Sequence, residues 1–391
     1  MLGLSEAAYL IDGQPMFKVL DKVQELERQN KKILHFELGE PDFDTPSNIV
    51  DSCVNALREG NTHYTSSTGL YELREAVADA TLFSRKFKPE IDQILITPGA
   101  NAIIYYAIRC LVNPGEEVIV PDPGFPTYYS AIKFCGAKAV KVPLREENNH
   151  QLKADDVRDL ITKKTKLIII NSPSNPTGAV MSREDIKAIY ELCVKNDIYI
   201  LSDEIYSRLT FSKDEGFYSP SMIDHCLTNT IVLNGFSKAF AMTGWRLGAA
   251  IGPKILIEKM SLLLQTVNSC VQPFIQVAGI EAITGDQTAI ASMRNEYSKR
   301  REVLVNGLNS ISGIRCAMPK GAIYAFPNVS GLGMSGEEFS DFSLEHAGVA
   351  LLPGSSFGEN ADDFVRICYV NSIANIELAI EKIKSALKVR G

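Results

Sequence analysis

Short apolar runs alternate with helical segments through the middle of the chain, and this alternation restricts the fold more than any other feature. The runs are rich in Ile and Val at successive positions, as in strands that are buried on both faces. The segments between them have helical periodicity, and Ser182 is placed to cap one of these helices. The pattern predicts an α/β fold in which helices flank a mostly parallel, seven-stranded sheet. The seven runs are Gln93–Pro98, Glu117–Pro121, Ala137–Pro143, Lys166–Pro173, Ile198–Glu204, Thr230–Gly235 and Leu247–Gly252.

The character of the sequence changes near Gly285, where a long charged helix is followed by short strands around Ala322 and Val365 and by a closing helix. We therefore predict a large α/β domain over residues 46–284 and a small α+β domain over residues 285–391. Residues 1–45 contain one amphipathic helix, Phe17–Gln29, and are expected to pack with the small domain.

Composition and charge exclude several classes of protein. The net charge is -7, with 47 acidic and 40 basic residues, which argues against a nucleic-acid or anionic-membrane binder. Apolar stretches fall short of the roughly 20 residues that span a bilayer, and the N-terminus does not resemble a signal peptide. Eight scattered cysteines without a C-x-x-C pair predict reduced thiols and a cytoplasmic location. Five histidines without ligand spacing predict that the protein has no metal site.

Polar and glycine-rich segments follow the predicted strands. Sheets of this class bind ligands beyond the carboxyl ends of their strands, so these segments are expected to meet at one edge and form a site. They are Thr97–Asn101, Pro121–Pro126, Asn171–Gly178, Ser202–Tyr206 and Asn234–Lys238.

Lys238 is the strongest single candidate for chemistry. A lysine is most often an exposed charge, but this one follows a predicted buried strand and is flanked by Phe236, Ala239 and Phe240. Removal from water lowers the pKa of a lysine and makes its amine a nucleophile that can form a Schiff base. The surroundings of Lys238 therefore favour a catalytic role.

The segment Asn234–Gly248 resembles the cofactor-lysine motif of the class I/II aminotransferases, which are fold-type I pyridoxal-phosphate enzymes. This resemblance extends over nearly the whole chain. It implies pyridoxal 5'-phosphate as the cofactor and a ping-pong transfer, on Lys238, of the amino group of an L-amino acid to a 2-oxo acid. The other matching segments, in chain order, are Leu38–Pro46, His63–Ala78, Thr97–Asn101, Pro123–Pro126, Asn175–Gly178, Ser202–Tyr206 and Val365–Tyr369.

The resemblance also implies which residues contact the cofactor ring. Asp203 is expected to face the ring nitrogen, which must be protonated for the ring to act as an electron sink. Tyr206 and Asn175 resemble the pair that donates hydrogen bonds to the phenolate oxygen, and Phe125 matches the aromatic residue that stacks on the ring. The ordinary alternatives are a capping or solvated carboxylate for Asp203 and a core position for Phe125.

The cofactor phosphate is expected at the start of a helix. Gly99, Ala100 and Asn101 open a predicted helix whose free N–H groups and dipole favour an anion. By resemblance, Arg246 and the Ser237 hydroxyl complete this phosphate site.

Two further positions concern the phosphate. Gly235 stands where a common version of the motif has Ser or Thr, so backbone groups or Ser237 would replace one hydroxyl contact. Tyr64 resembles the residue that reaches the phosphate from the partner subunit, which implies a homodimer with shared active sites.

Arg366 is the candidate for binding the substrate. Its planar guanidinium suits a two-point contact with an α-carboxylate, and an arginine within an apolar strand is costly if it is unpaired. Gly39 and Asn175 match positions that help to bind the same carboxylate.

The side chain of the amino acid substrate is less well defined. Some aspartate-specific relatives have a lysine where this chain has Asn101, which argues against a dicarboxylate specialist of that kind. Phe17, Tyr64 and Tyr324 are expected to line the side-chain pocket and would favour neutral or aromatic donors.

Three other functions need consideration. Gly331–Gly336 matches G-x-G-x-x-G, but no predicted strand–helix–strand unit surrounds it, which argues against an NAD-dependent enzyme. A pyridoxal-phosphate C–S lyase or another elimination enzyme shares the expected fold and remains the main alternative. A regulatory protein of this fold would need an attached DNA-binding domain, for which the sequence offers no candidate.

Overall fold

The seven apolar runs form the strands of one sheet in the computed structural model of the chain, which describes residues 3–10, 13, 15–211 and 217–390. The Ile and Val residues of these runs are buried, except for the partly buried Val140, as predicted for strands covered on both faces. Within the described residues the strands are β1 Leu34–His35, β2 Ile94–Thr97, β3 Glu117–Asp122, β4 Lys138–Pro143, β5 Thr165–Asn171, β6 Tyr199–Asp203, β7 Thr230–Gly235, β8 Gly248–Ile251, β9 Tyr324–Ala325, β10 Val349–Ala350, β11 Leu352–Pro353 and β12 Val365–Cys368.

The large sheet has the strand order β2-β8-β7-β6-β5-β3-β4. Strands β7, β6, β5, β3 and β4 pair in parallel, whereas β8 is antiparallel to both β2 and β7. Gly248, the first residue of β8, is in register with Thr97 of β2 and Gly235 of β7. The segment that precedes β8 therefore lies at the same edge of the sheet as the segments that follow β2 and β7. The prediction of a mostly parallel seven-stranded α/β sheet is confirmed.

Helices cover both faces of this sheet because alternate strand residues point to opposite sides. Leu167 and Ile169 of β5 pack with α4, α5 and α9, whereas Ile168 and Ile170 pack with α6 and α7. A third cluster packs α2, α3 and α10 against β2, β7 and β8. The helices are α1 Pro15–Arg28, α2 Ser47–Arg58, α3 Tyr71–Arg85, α4 Ala100–Leu111, α5 Pro126–Phe134, α6 Ala154–Arg158, α7 Arg183–Lys195, α8 Ser221–Asp224, α9 Lys254–Asn268, α10 Pro273–Thr284, α11 Thr288–Asn309, α12 Gly336–Phe342 and α13 Ile373–Arg390.

The C-terminal part has its own sheets and its own core. Strands β11, β12 and β9 form an antiparallel sheet, and its core includes apolar residues of α11 and α13. Near the N-terminus, β1 pairs in parallel with β10, so the early segment contacts the C-terminal part. The long charged helix is α11, and the N-terminal amphipathic helix is α1, with bounds close to those predicted.

Several short helical turns complete the described fold. The glycine motif Gly331–Gly336 runs from within a 3-10 turn to the first residue of α12, after antiparallel β9, which is not the setting of a dinucleotide site. None of the helices in the described ranges has the length and apolar character to cross a membrane. The 3-10 turns are Glu6–Leu10, Ile91–Gln93, Glu146–Asn148, Ser330–Leu332, Gly354–Ser356 and Glu359–Ala361, and a π-helical turn spans Ser343–Ala347.

Candidate active site

A cavity of about 180 Å³ lies at the edge of the large sheet where the parallel strands end. It brings together side chains and backbone that are far apart in the sequence, from residue 16 to residue 324. The predicted site residues that line it are Gly39, Ala100, Asn101, Phe125, Asn175, Asp203, Tyr206, Ser237, Lys238 and Arg246.

Lys238 lies in this cavity, just after β7, and its side chain is half-buried. The neighbouring Phe236, Ala239 and Phe240 are buried, and the Lys238 Nζ donates a hydrogen bond to the Gly39 carbonyl at 2.5 Å. Burial lowers the pKa of Lys238 to about 8, and the charge of Arg366 contributes in the same direction. A measurable fraction of this amine is therefore neutral and nucleophilic near pH 7.

Asp203 places a carboxylate in the cavity at the end of β6. Its Oδ2 accepts a hydrogen bond from the Tyr128 hydroxyl at 2.5 Å, and its Oδ1 accepts one from the Ile205 N–H at 3.2 Å. Burial raises the pKa of Asp203 to about 6, and the Tyr128 hydrogen bond opposes this rise. The carboxylate is thus mainly ionised at neutral pH.

Tyr128 was missed by the sequence reasoning. It is fully buried in the first turn of α5, three residues after Phe125, and the two rings form a T-shaped contact with their centres 5.6 Å apart. The helical spacing of Phe125 and Tyr128 was the signal that could have placed both at one site.

The start of α4 forms the opposite, electropositive part of the cavity. Gly99 precedes the helix with φ +81°, and among the described residues no side chain caps the helix N-terminus. The backbone N–H groups of the first turn are thus available to a ligand. A Cβ atom on Gly99 would lie 2.4 Å from Arg246 Nη2, so this close packing requires glycine. The guanidinium of Arg246 donates to the Thr243 carbonyl at 2.9 Å.

Arg366 lies behind the cavity in β12 and is fully buried. Its Nη1 donates to Asn175 Oδ1 at 3.2 Å, and its Nη2 donates to the Glu37 carbonyl at 2.5 Å. The guanidinium lies 4.5 Å from the ring centre of Tyr324 and 4.9 Å from that of Phe357. Its Nε has no hydrogen-bond partner within the part of the chain that the structure describes. The group is held in place by neutral partners and keeps its positive charge for an anion.

Tyr206, Tyr324 and Gly39 form a tight group between Asp203 and Arg366. The two tyrosine hydroxyls are hydrogen-bonded at 2.7 Å, and burial raises the pKa of Tyr206 well above its ordinary value. Both hydroxyls therefore stay protonated and can donate. A Cβ atom on Gly39 would lie 2.2 Å from the Tyr324 hydroxyl oxygen, which explains the glycine at that position.

Two of the residues expected at the side-chain pocket do not line the cavity of the single chain. Phe17 is 54% exposed and Tyr64 is 88% exposed, whereas Tyr324 does line it. Met16 takes the place expected for Phe17, because neighbouring residues on a helix point in directions about 100° apart. The expectation for Phe17 is therefore not met within the single chain.

The comparisons with known proteins cover almost the whole chain. The pattern of the family "Aminotransferase class I and II" matches residues 31–383. An aspartate aminotransferase of Pyrococcus horikoshii is 42% identical over 97% of this chain and 98% of its own. The aromatic-amino-acid aminotransferase 2 of Thermococcus litoralis is 38% identical over 99% of both chains. The Thermus thermophilus aspartate aminotransferase solved with maleate is 33% identical, with a TM-score of 0.94 over 99% of this chain and 100% of that one.

These matches agree with the half-buried lysine, the ionised aspartate and the electropositive helix start that the cavity combines. The chain belongs to the class I and II aminotransferases and is a pyridoxal-phosphate-dependent enzyme that acts on amino acids and 2-oxo acids.

Proposed function

We propose that Lys238 is the residue that binds the cofactor covalently and then moves the proton during transfer of an amino group from an L-amino acid to a 2-oxo acid. The observation that carries this proposal is the position of its amine. Nζ lies in a cavity between Asp203 and Arg366, in surroundings that lower its pKa to about 8. Such an amine can act as a nucleophile and, once free, as a base and acid at the substrate Cα.

The charges of the cavity fit pyridoxal phosphate. The uncapped start of α4, Ser237 and Arg246 would bind the phosphate, and Asp203 would bind the protonated ring nitrogen. When bound, the cofactor supplies an electron sink for the bond that breaks at the substrate. The close approach of Arg246 to Gly99 supports this assignment, because it brings the guanidinium to the helix start.

The remaining cavity residues orient the ring. Tyr206 is a protonated donor, so it can bind a phenolate oxygen, and the side chain of Asn175 reaches the same region. Phe125 lines the cavity at the first turn of α5 and can cover one face of the ring. Tyr128 holds Asp203 in position through its hydrogen bond.

Arg366 would bind the α-carboxylate of the substrate, together with Asn175 and the backbone at Gly39. Its two hydrogen-bonded nitrogens fix the plane of the guanidinium, and the flanking rings of Tyr324 and Phe357 exclude water. A pre-oriented, desolvated cation gives a strong and directional contact to a carboxylate.

The amino donor is proposed to have a neutral or aromatic side chain. A small recess beside Arg366 is lined almost entirely by apolar groups, among them Met16, Phe125, Leu352 and Phe357. Asn101, at the helix start, offers no positive charge to a second carboxylate. A panel of single amino acids, each mixed with one 2-oxo acid, tests this: donors with apolar side chains should be the best substrates, and a clear preference for aspartate would contradict it.

The proposal also includes the subunit assembly, the domain boundaries and the cellular location of the protein. A homodimer is proposed because Tyr64 is highly exposed in the single chain, on the segment expected to reach the phosphate of a partner. The division into residues 1–45, 46–284 and 285–391 is supported by a core to which α11, α13 and the C-terminal strands contribute most residues, and by the pairing of β1 with β10. A cytoplasmic location is supported by eight free cysteines.

Replacement of the central amine tests the proposed function. Lys238→Ala should remove the visible absorbance of the bound cofactor and nearly all 2-oxo acid-dependent turnover. Lys187→Ala, at an exposed position of α7, is the matched control and should change neither. Full turnover by Lys238→Ala would refute the assignment, and release of pyruvate and ammonia without an acceptor would indicate a lyase instead.

A further inference from the structure

A buried ion pair lies directly behind Asp203. Successive residues of an extended strand point to opposite faces, so Asp203 faces the cavity while Glu204 faces away from it. Glu204 is 1% exposed, and its Oε2 accepts hydrogen bonds from Arg85 Nε at 3.0 Å and from Arg85 Nη2. Arg85 is the last residue of α3 and is itself 5% exposed. The ion pair thus joins α3 to the strand end that carries Asp203.

Glu204 also contacts two buried serines. Its Oε1 accepts hydrogen bonds from Ser202 Oγ at 2.9 Å and from Ser219 Oγ. Arg85, Ser202 and Ser219 thus hold the carboxyl group of Glu204, and Arg85 is the cation that pairs with it, next to Asp203 in the chain.

Two hydrogen-bond donors contact the carboxylate of Asp203 on the cavity side. Tyr128 of α5 and the Ile205 N–H donate to its carboxylate, and Tyr206 lies further along the same loop. Burial raises the pKa of Asp203, and the charge of Glu204 adds to that rise. Any loss of the balancing cation would therefore make Asp203 harder to ionise.

We propose that Arg85 is a positioning residue for the aminotransferase reaction, because its ion pair with Glu204 allows Asp203 to present a negative charge to the cavity. The inference rests on the proposed role of Asp203 at the ring nitrogen of the cofactor. Arg85 would thus act on the functional site from the other face of the sheet, without touching cofactor or substrate.

The direct readout is selectivity between two forms of the cofactor. Cofactor-free protein is titrated with pyridoxal phosphate and with its 1-deaza analogue, in which carbon replaces the ring nitrogen, and the ratio of the two Kd values is measured against pH. An ionised Asp203 favours the nitrogen-bearing form, so the ratio should fall as Asp203 gains a proton. A variant that only loosens the cavity would weaken both forms equally and leave the ratio unchanged.

The test uses two single variants that change the local charge in opposite directions, and the double variant that combines them. Arg85→Met should move the midpoint of this pH profile upward by about one pH unit, the size expected for one unbalanced like charge inside a protein. Glu204→Gln should move it downward, and the double variant should return it close to the wild-type value. Arg85→Lys keeps the charge and should stay near wild type, which provides a folded variant if the unbalanced ones are unstable.

The outcomes separate this inference from the proposed function. Unshifted midpoints in both single variants, or equal weakening of both cofactor forms, would overturn the role of Arg85. If the wild-type protein itself showed no preference for the nitrogen-bearing form, the assignment of Asp203 would fail and the inference with it.

Discussion

Gly99→Ala gives the sharpest single test of the electropositive half of the site. The new methyl group would lie 2.4 Å from Arg246 Nη2 and 2.9 Å from its Cζ, so the guanidinium must move away from the start of α4. The loss of one hydrogen bond to a charged group is worth about 1.5–3 kcal/mol. We therefore expect the Kd for pyridoxal phosphate to rise roughly 10- to 150-fold, since each 1.4 kcal/mol is a factor of ten.

The strain of a positive φ must be separated from this effect. Gly60 has the same φ of +81° as Gly99, but a Cβ atom there would meet nothing within 4 Å. Gly60→Ala should therefore show the cost of a positive φ without the clash at Arg246, about 1–2 kcal/mol in urea unfolding of the cofactor-free protein. Its cofactor affinity, measured by fluorescence titration, should equal that of wild type. Equal Kd values for the two variants would show that Arg246 does not contact the phosphate.

Three further predictions concern the other parts of the cavity. Arg366→Lys should raise KM for every carboxylate substrate at least tenfold with a smaller change in kcat, because a lysine cannot reproduce the two-point contact; steady-state kinetics with an unchanged KM would contradict this. The rate at which cofactor-free protein takes up pyridoxal phosphate should rise with pH around pH 8, where Lys238 loses its proton, and a flat profile in stopped-flow absorbance would oppose it. Folding lifts the pKa of Asp203 from 3.8 to about 6, so its contribution to stability is present below pH 3.8 and is lost as pH rises to about 6. The stability of Asp203→Asn relative to wild type, measured on cofactor-free protein, should therefore increase by roughly 3 kcal/mol across that range, and a constant difference would show that Asp203 titrates normally.

The sheet was predictable from the sequence because its strands are buried on both faces. Uninterrupted Ile and Val runs such as that of β5 leave few alternatives to a central parallel strand. The direction of β8 was not predictable, because an apolar run looks the same in either orientation. Yet this antiparallel strand is what brings Arg246 to the start of α4.

The parts of the site that the sequence missed depend on tertiary packing. The sequence near Arg85 gives no indication of Glu204, which lies 119 residues away in the chain. The two residues pair because of the way α3 packs on the sheet. Met16 lines the cavity instead of Phe17 because of the rotation of α1 about its axis. A shift of one residue along a helix changes which side chain faces the cavity. Residues at the end of a strand, such as Asp203, were easier to place because the sheet itself fixes the positions of its strand ends.

The covalent attachment of the cofactor to Lys238 is the claim on which the whole account depends. Purified protein is incubated with pyridoxal phosphate, reduced with borohydride, digested, and mapped by mass spectrometry. We expect a single reduced cofactor adduct on the peptide that contains Lys238. An adduct on a different lysine, or unmodified Lys238 in protein saturated with cofactor, would contradict it.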